Sequence, residues 1–144
     1  MAVLNPYLNF NGNAEEAFNF YKSVFGGEFL ALQRFSDMPS ETQMPPGADL
    51  NRILHVSLPI SKETVLMGSD VPSSFTAAII GTNFNVSIHT ETEEEATKLF
   101  NGLSEGGQVT MPLTKVFWGS YFGMFTDKFG IQWMVNHDYN QHKD

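Results

Sequence analysis

Apolar and polar residues alternate along several short segments of the chain, while two other segments carry apolar residues at helical spacing. Alternation over residues 4–10 and 84–89 gives each segment one apolar and one polar face, as in a half-buried strand. After each of these segments, apolar residues recur every three to four positions, which predicts two amphipathic helices. Further strands are predicted over residues 28–35, 53–60, 64–69, 109–113, 117–126 and 131–136.

The two predicted helices begin and end on similar residues, about 80 positions apart. Asn13 and Thr92 are each followed three positions later by Glu, a capping-box pattern that satisfies the free amides of a first turn. Each segment ends in Gly-Gly, at 26–27 and 106–107, where a left-handed cap is expected. Each half of the chain is therefore predicted to run strand, helix, strand, strand, strand.

The length of 144 residues suits a single domain built from these two halves. We expect a first module over about 1–70, a connection over 71–82, a second module over about 83–138 and a polar tail over 139–144. Residues 36–51 form a long loop that contains Met38, Pro39, Met44, Pro45 and Pro46. A loop of this length is expected to be either a binding-site lid or disordered, and its Met and Pro residues favour a lid or a contact for a partner.

The charge and composition of the chain disfavour several kinds of partner and of chemistry. Eight Lys and Arg residues against sixteen Asp and Glu residues give a net charge of −8, which disfavours binding to nucleic acid or to anionic membranes. No apolar run approaches the roughly 20 residues of a membrane span, and residues 1–9 lack the features of a signal peptide. The absence of cysteine excludes disulfides and thiol chemistry and is consistent with a cytoplasmic location.

Three motifs together resemble one known family. They are PYLNFNGNAEEAFNFY at 6–21, LMGSD at 66–70, and a closing region with MPL at 111–113, FWG at 117–119 and DKFGIQWMVN at 127–136. This combination resembles the PhnB-like branch of the vicinal oxygen chelate superfamily, which includes glyoxalase I, bleomycin-resistance proteins and extradiol dioxygenases. The resemblance implies an α+β fold in which tandem βαβββ modules form an incomplete eight-stranded barrel around a cavity, commonly in homodimers.

The resemblance also implies four positions at which metal-dependent members carry His, Gln or Glu. In this sequence these positions fall near Asn5, Met67, Asn85 and Met134. Hard divalent ions prefer carboxylate or imidazole ligands, whereas a thioether suits soft ions such as Cu(I). We therefore expect no catalytic metal and predict no other cofactor, with a divalent metal as the less favoured alternative.

Neutral polar side chains and two histidines are the candidates for ligand binding. His55 and His89 lie on predicted strands and are candidates for a general base or a hydrogen-bonding partner, while His137 and His142 are expected to be solvated. The complete predicted ligand-binding set is Asn5, Tyr7, Asn9, His55, Ser57, Met67, Asn85, Ser87, His89, Gln132, Met134 and Asn136.

The favoured interpretation is a small-molecule binding protein that needs no catalytic metal, with the ligand unspecified. The alternative is an enzyme, either a metal-dependent one of the glyoxalase or dioxygenase type or a transferase, that uses His55 or His89. The sequence carries no nucleophile elbow, phosphate-binding loop or dinucleotide-binding turn. A homodimer is also expected, with the apolar stretch 75–80 covering the partner.

Overall fold

The computed structural model describes residues 2–39 and 47–140. Met44, Pro45 and Pro46 of the predicted lid or partner contact lie outside the described residues, as does His142. The chain divides into two compact units, Met1–Ile79 and Ile80–Asp144. In each unit a strand is followed by a helix and then by three strands, so the predicted α+β class and the tandem βαβββ order are confirmed.

Over residues 2–39 and 47–79, the first unit contains one four-stranded mixed sheet and one α-helix. Its elements are β1 (Tyr7–Phe10), α1 (Ala14–Phe25), β2 (Ala31–Arg34), β3 (Ile53–Pro59) and β4 (Val65–Asp70), with a 3-10 turn over Phe35–Asp37. The strand order is β1-β4-β3-β2, in which β1 is parallel to β4 and the other pairs are antiparallel. Phe18 of α1 packs edge-on against Phe10 at 6.1 Å between ring centroids, so the helix covers one side of the sheet.

The second unit repeats this arrangement. Its elements are β5 (Val86–His89), α2 (Glu93–Ser104), β6 (Gln108–Val116), β7 (Ser120–Thr126) and β8 (Gln132–Asp138). The strand order is β5-β8-β7-β6, again with one parallel pair, β5 and β8, at the edge. Phe100 of α2 packs edge-on against Phe125 of β7 at 5.1 Å, which identifies the helix-covered side of this sheet.

Within the described residues, the eight strands form two separate sheets and no closed barrel. Neither of the two helices seen there, each 12 residues long, has the length and apolar character needed to cross a membrane.

The start of α1 differs from the prediction. The side chain of Asn13 makes no capping hydrogen bond; instead, the buried carboxylate of Asp70 accepts hydrogen bonds from the N–H groups of Gly12 and Ala14, both at 2.9 Å. Asp70 is the last residue of β4, 56 residues beyond Ala14, and a carboxylate suits the positive end of the helix dipole. The prediction that Asn13 caps this helix is therefore wrong.

The start of α2 agrees with the prediction. The N–H of Glu95 donates to the hydroxyl of Thr92 at 3.1 Å, and the carboxylate of Glu95 accepts from the N–H of Glu91 at 3.2 Å. At the helix ends, Gly26 and Gly106 have positive φ angles of 83° and 76°, although α2 already ends at Ser104. Positive φ is the conformation that glycine tolerates without steric cost.

Three strand boundaries also differ from the alternation pattern. Strands β1 and β5 begin at Tyr7 and Val86, so Asn5 and Asn85 precede them instead of lying within them. The strand predicted over 117–126 begins only at Ser120, because residues 117–119 form the turn between β6 and β7.

Candidate functional site

The side of the first sheet that faces away from α1 carries mainly neutral polar side chains. Along β1, Leu8 and Phe10 are buried towards the helix, whereas Tyr7 and Asn9 are exposed on the opposite side. Strand pairing places Met67 beside Tyr7, and Ser57 beside Met67. We call this side polar face 1; its members, which include no carboxylate and no cation, are Tyr7, Asn9, Gln33, His55, Ser57, Met67 and Ser69.

A tyrosine and a histidine from different strands meet on polar face 1. The Tyr7 hydroxyl lies 3.3 Å from Nδ1 of His55, and the two ring centroids are 5.8 Å apart. If the hydroxyl donates, the neutral imidazole carries its proton on Nε2; if Nδ1 donates, Nε2 is free to accept a proton. His55 therefore has the chemistry of either a hydrogen-bond donor or a general base.

Asn5 has a different role from its neighbours in the predicted set. Its side-chain oxygen accepts a hydrogen bond from the N–H of Val65 at 3.0 Å. This bond ties the segment before β1 to the first residue of β4, close to the point where the N–H of Met67 donates to the carbonyl of Pro6. The amide oxygen of Asn5 thus extends the pairing of β1 and β4 beyond the start of β1.

The corresponding side of the second sheet is the one that faces away from α2. Along β8, Trp133 and Val135 are buried towards the helix. Met134 and Asn136, which alternate with them, are half-buried on the other side. We call this side polar face 2. Its members are Ser87, His89, Met111, Thr114, Phe122, Met124, Thr126, Gln132, Met134 and Asn136.

His89 is held by a neighbouring amide on polar face 2. The side-chain nitrogen of Asn136 lies 3.3 Å from Nδ1 of His89, and Ser87 lies 3.5 Å from Nε2. An amide nitrogen can only donate, so Nδ1 must accept and the neutral imidazole carries its proton on Nε2. The Nε2–H group then faces the Ser87 hydroxyl, so both ring nitrogens of His89 have a polar neighbour on polar face 2.

Two other polar residues of the second unit are engaged with the backbone. The amide of Gln132 donates to the carbonyl of Phe84 at 2.6 Å, next to Asn85, which is half-buried just before β5. His137, predicted to be solvated in the polar tail, is instead part of β8 and half-buried, and its Nδ1 donates to the carbonyl of Thr90 at 3.1 Å. That prediction is wrong because β8 continues two residues beyond its expected end at Asn136.

Two charged side chains near these faces have partners elsewhere. Asp138 follows the same alternation as Asn136 but lies at the end of β8, where its carboxylate accepts from the N–H of Asn140 at 2.8 Å. Arg34 ends β2 and donates to Glu15 of α1 at 2.6 Å. The hydrogen bond to Glu15 and the negative charge of that carboxylate raise the pKa of the Arg34 guanidinium. Neither charge is thus directed at the centre of a polar face.

The donors at the metal-ligand positions of the family do not suit a hard divalent ion. Met67 and Met134 offer thioethers, which prefer soft ions. Asn5 already uses its oxygen for the backbone of Val65. Over residues 2–39 and 47–140, no group of three or more His, Asp or Glu side chains is placed to hold a metal.

Some members of the two faces lie outside the predicted set. Gln33 and Ser69 are on strands whose alternation indicates their side, so the pattern could have found them. Met111 and Met124 were harder to place, because β6 carries irregularities on either side of Met111. Alternation alone loses the face of a strand at a bulge.

Comparison with known proteins identifies the family. The model of the Glyoxalase/Bleomycin resistance protein/Dioxygenase superfamily matches residues 3–135. The chain belongs to this superfamily. Protein YjdN from Escherichia coli K12 is 32% identical over 140 residues, which cover 92% of this chain and 93% of YjdN.

Two solved structures extend the comparison. Protein PA1353 from Pseudomonas aeruginosa has a TM-score of 0.83 at 38% identity and covers 96% of this chain and 98% of its own. A PhnB protein from Bacillus cereus has a TM-score of 0.74 at 27% identity, covering 93% of this chain and 98% of its own. The resemblance to the PhnB-like branch and the glyoxalase-like fold are thereby confirmed.

Proposed function

We propose that this member of the glyoxalase superfamily binds a small molecule on its polar faces and does so without a catalytic divalent metal. The observation that supports this most strongly is the composition of the two faces. Each presents one imidazole, neutral hydroxyl and amide groups, and at least one thioether, and the one carboxylate that follows the same alternation on these described strands, Asp138, lies at the end of β8 and accepts from the backbone of Asn140. Such a set suits hydrogen bonding to a neutral ligand over an apolar floor.

The two histidines support binding in different ways. The ring of His89 is held by Asn136 at Nδ1, and its Nε2–H, which lies 3.5 Å from the Ser87 hydroxyl, would be shared between that hydroxyl and an acceptor atom of the ligand. Nδ1 of His55 can either accept a hydrogen bond from the Tyr7 hydroxyl or donate one to it. Its Nε2 can therefore act towards the ligand as a donor or as an acceptor. Neither role requires a metal ion.

An enzyme that uses His55 as a general base is the second candidate. The Tyr7 hydroxyl can accept from Nδ1 and leave Nε2 free to take a proton, as a general base does. A reaction of this kind would require activity to disappear in His55→Ala and to survive in part in Tyr7→Phe. A role limited to ligand binding would weaken affinity in both variants.

Metal titration separates binding from metal catalysis. Protein purified without chelator is analysed for bound metal and then titrated with Zn²⁺, Ni²⁺, Mn²⁺ and Fe²⁺, alongside His55→Ala and His89→Ala. The proposal expects no stoichiometric uptake of any of these ions. Stoichiometric metal that is lost in either histidine variant would overturn the proposal.

We also propose a homodimer in the cytoplasm. Three large apolar residues of the connection, Phe75, Ile79 and Ile80, are 67%, 93% and 71% exposed. Large exposed apolar groups close together in sequence mark interaction sites, and a second copy of the chain is the occupant that the family resemblance favours.

A further inference from the structure

Three methionines lie side by side on polar face 2. Met111 is paired with Met124, and Met124 is paired with Met134, so three neighbouring strands each contribute one thioether. All three side chains are half-buried. We call them the methionine row. Directly opposed residues are about 5 Å apart, so the row extends over roughly 10 Å, comparable with the length of a fused two-ring molecule.

A second row of side chains lies beside the methionine row. Phe122 is paired with Asn136, and Asn136 is paired with His89. Asn136 gives one side-chain N–H to His89, while its second side-chain N–H and its side-chain oxygen Oδ1 make no hydrogen bond within the described part of the chain. The amide therefore presents a donor and an acceptor next to each other, at the edge of the thioether surface.

The chemistry of these two rows selects a ligand class. Methionine sulfur is polarizable and makes favourable contacts with aromatic rings. The side chains that form the rows include no carboxylate, lysine or arginine, and the nearest carboxylate along β8, Asp138, accepts from the backbone of Asn140. A charged ligand lying on the two rows would lose hydration without an ionic partner among the side chains that form them.

We infer that polar face 2 binds an uncharged planar aromatic molecule whose ring lies on the methionine row and whose adjacent C=O and N–H groups pair with Asn136. The ligand class is thus a fused aromatic lactam or a ring with an equivalent amide edge. This inference rests on the proposed function, since it specifies what the polar face recognises.

Two matched probes test the inference by calorimetric titration. 2-Quinolone has the fused rings and the lactam edge, and N-methyl-2-quinolone keeps the rings and the carbonyl but lacks the N–H. We expect 2-quinolone to bind at least tenfold more tightly, because the N-methyl group leaves the amide of Asn136 partly unpaired. In Asn136→Leu the two probes are expected to bind with equal affinity.

A second pair of variants tests the surface on which the ring lies. Met124→Lys places a charge at the centre of the methionine row and is expected to weaken 2-quinolone binding at least tenfold. Val109→Lys is the control, because Val109 is exposed on β6 but is paired with Phe125 on the helix-covered side. It should leave the affinity within twofold of that of the unmodified protein, and far-ultraviolet circular dichroism establishes that each variant is folded.

Each contrary outcome has a distinct meaning. Equal affinity for the two probes, an unchanged ratio in Asn136→Leu, or equal weakening by the two lysine variants would overturn the inference. If neither probe binds but other compounds raise the melting temperature of the protein, the ligand class is wrong and the proposed function stands. If no compound of any class binds, both are wrong.

Discussion

Replacing Asp70 by Ala should destabilise the first unit, because one buried carboxylate holds the starts of two elements. Asp70 is 2% exposed. One of its oxygens accepts from the N–H groups of Gly12 and Ala14 at 2.9 Å, and the other accepts from the N–H of Ile53 at 2.8 Å. Ile53 begins β3, the strand that carries His55, so the same carboxylate supports the candidate site.

The size of the effect follows from the groups left without a partner. The hydrogen bonds to Ala14 and Ile53 are buried, and an orphaned buried N–H costs about 1–3 kcal/mol. Loss of the negative charge at the N-terminus of α1 adds about 0.3–1 kcal/mol. We therefore expect Asp70→Ala to lower the free energy of unfolding by about 4 kcal/mol, measured by urea denaturation followed by circular dichroism.

Two further variants test whether the carboxylate of Asp70 holds both elements. Asp70→Asn keeps one acceptor oxygen but sets an amide N–H against the N–H of Ile53, so we expect a loss of about 2 kcal/mol. Asp49→Ala removes a carboxylate that is half exposed and bonded to the N–H of Asn51, and its effect should stay within about 0.5 kcal/mol. A loss below about 1 kcal/mol in Asp70→Ala would show that the carboxylate does not hold these elements.

Four other variants test packing and assembly. Gly68→Ala should lower the free energy of unfolding by about 3 kcal/mol or more in urea denaturation, because a Cβ there would come within 2.7 Å of Phe18; an effect below about 1 kcal/mol would contradict this packing. Trp133→Phe should lower the free energy of unfolding by about 2 kcal/mol, because it removes an indole N–H that donates to a buried carboxylate at 2.8 Å. Trp118 is half exposed, so Trp118→Phe should lower it by less than about 1 kcal/mol. Equal losses in these two variants would contradict this difference between the two indoles. Ile79→Asp should convert a dimer into a monomer, measured by light scattering at micromolar concentration. A dimeric mass in this variant would show that the connection is not part of the interface.

The elements of the fold were predictable because their signals are local. Periodicity within each segment located both helices and all eight strands to within a few residues, and the capping box at Thr92 is contained in four residues. The cap of α1 was not predictable in the same way. Asn13 has a residue type that caps helices, but Asp70, 56 residues beyond Ala14, takes that role once β4 is paired in the sheet.

The candidate site was predictable only in part, for the same physical reason. Alternation gave the correct side for Tyr7 and Met134, since the side chains of a regular strand point alternately to its two faces. The methionine row depends instead on the pairing of three strands and on the irregularities of β6. Neither feature is encoded within one segment, so the row becomes visible only when the sheet is formed.

Ligand screening with and without a chelator tests the central proposal, metal-independent binding of a small molecule. Melting temperatures are recorded against a chemically diverse library, once in buffer alone and once after treatment with EDTA, because a ligand that binds the folded state raises its stability by mass action. We predict compounds that raise the melting temperature equally under both conditions and lose their effect in His89→Ala. Stabilisation that disappears with EDTA and returns on adding a divalent ion would contradict the account.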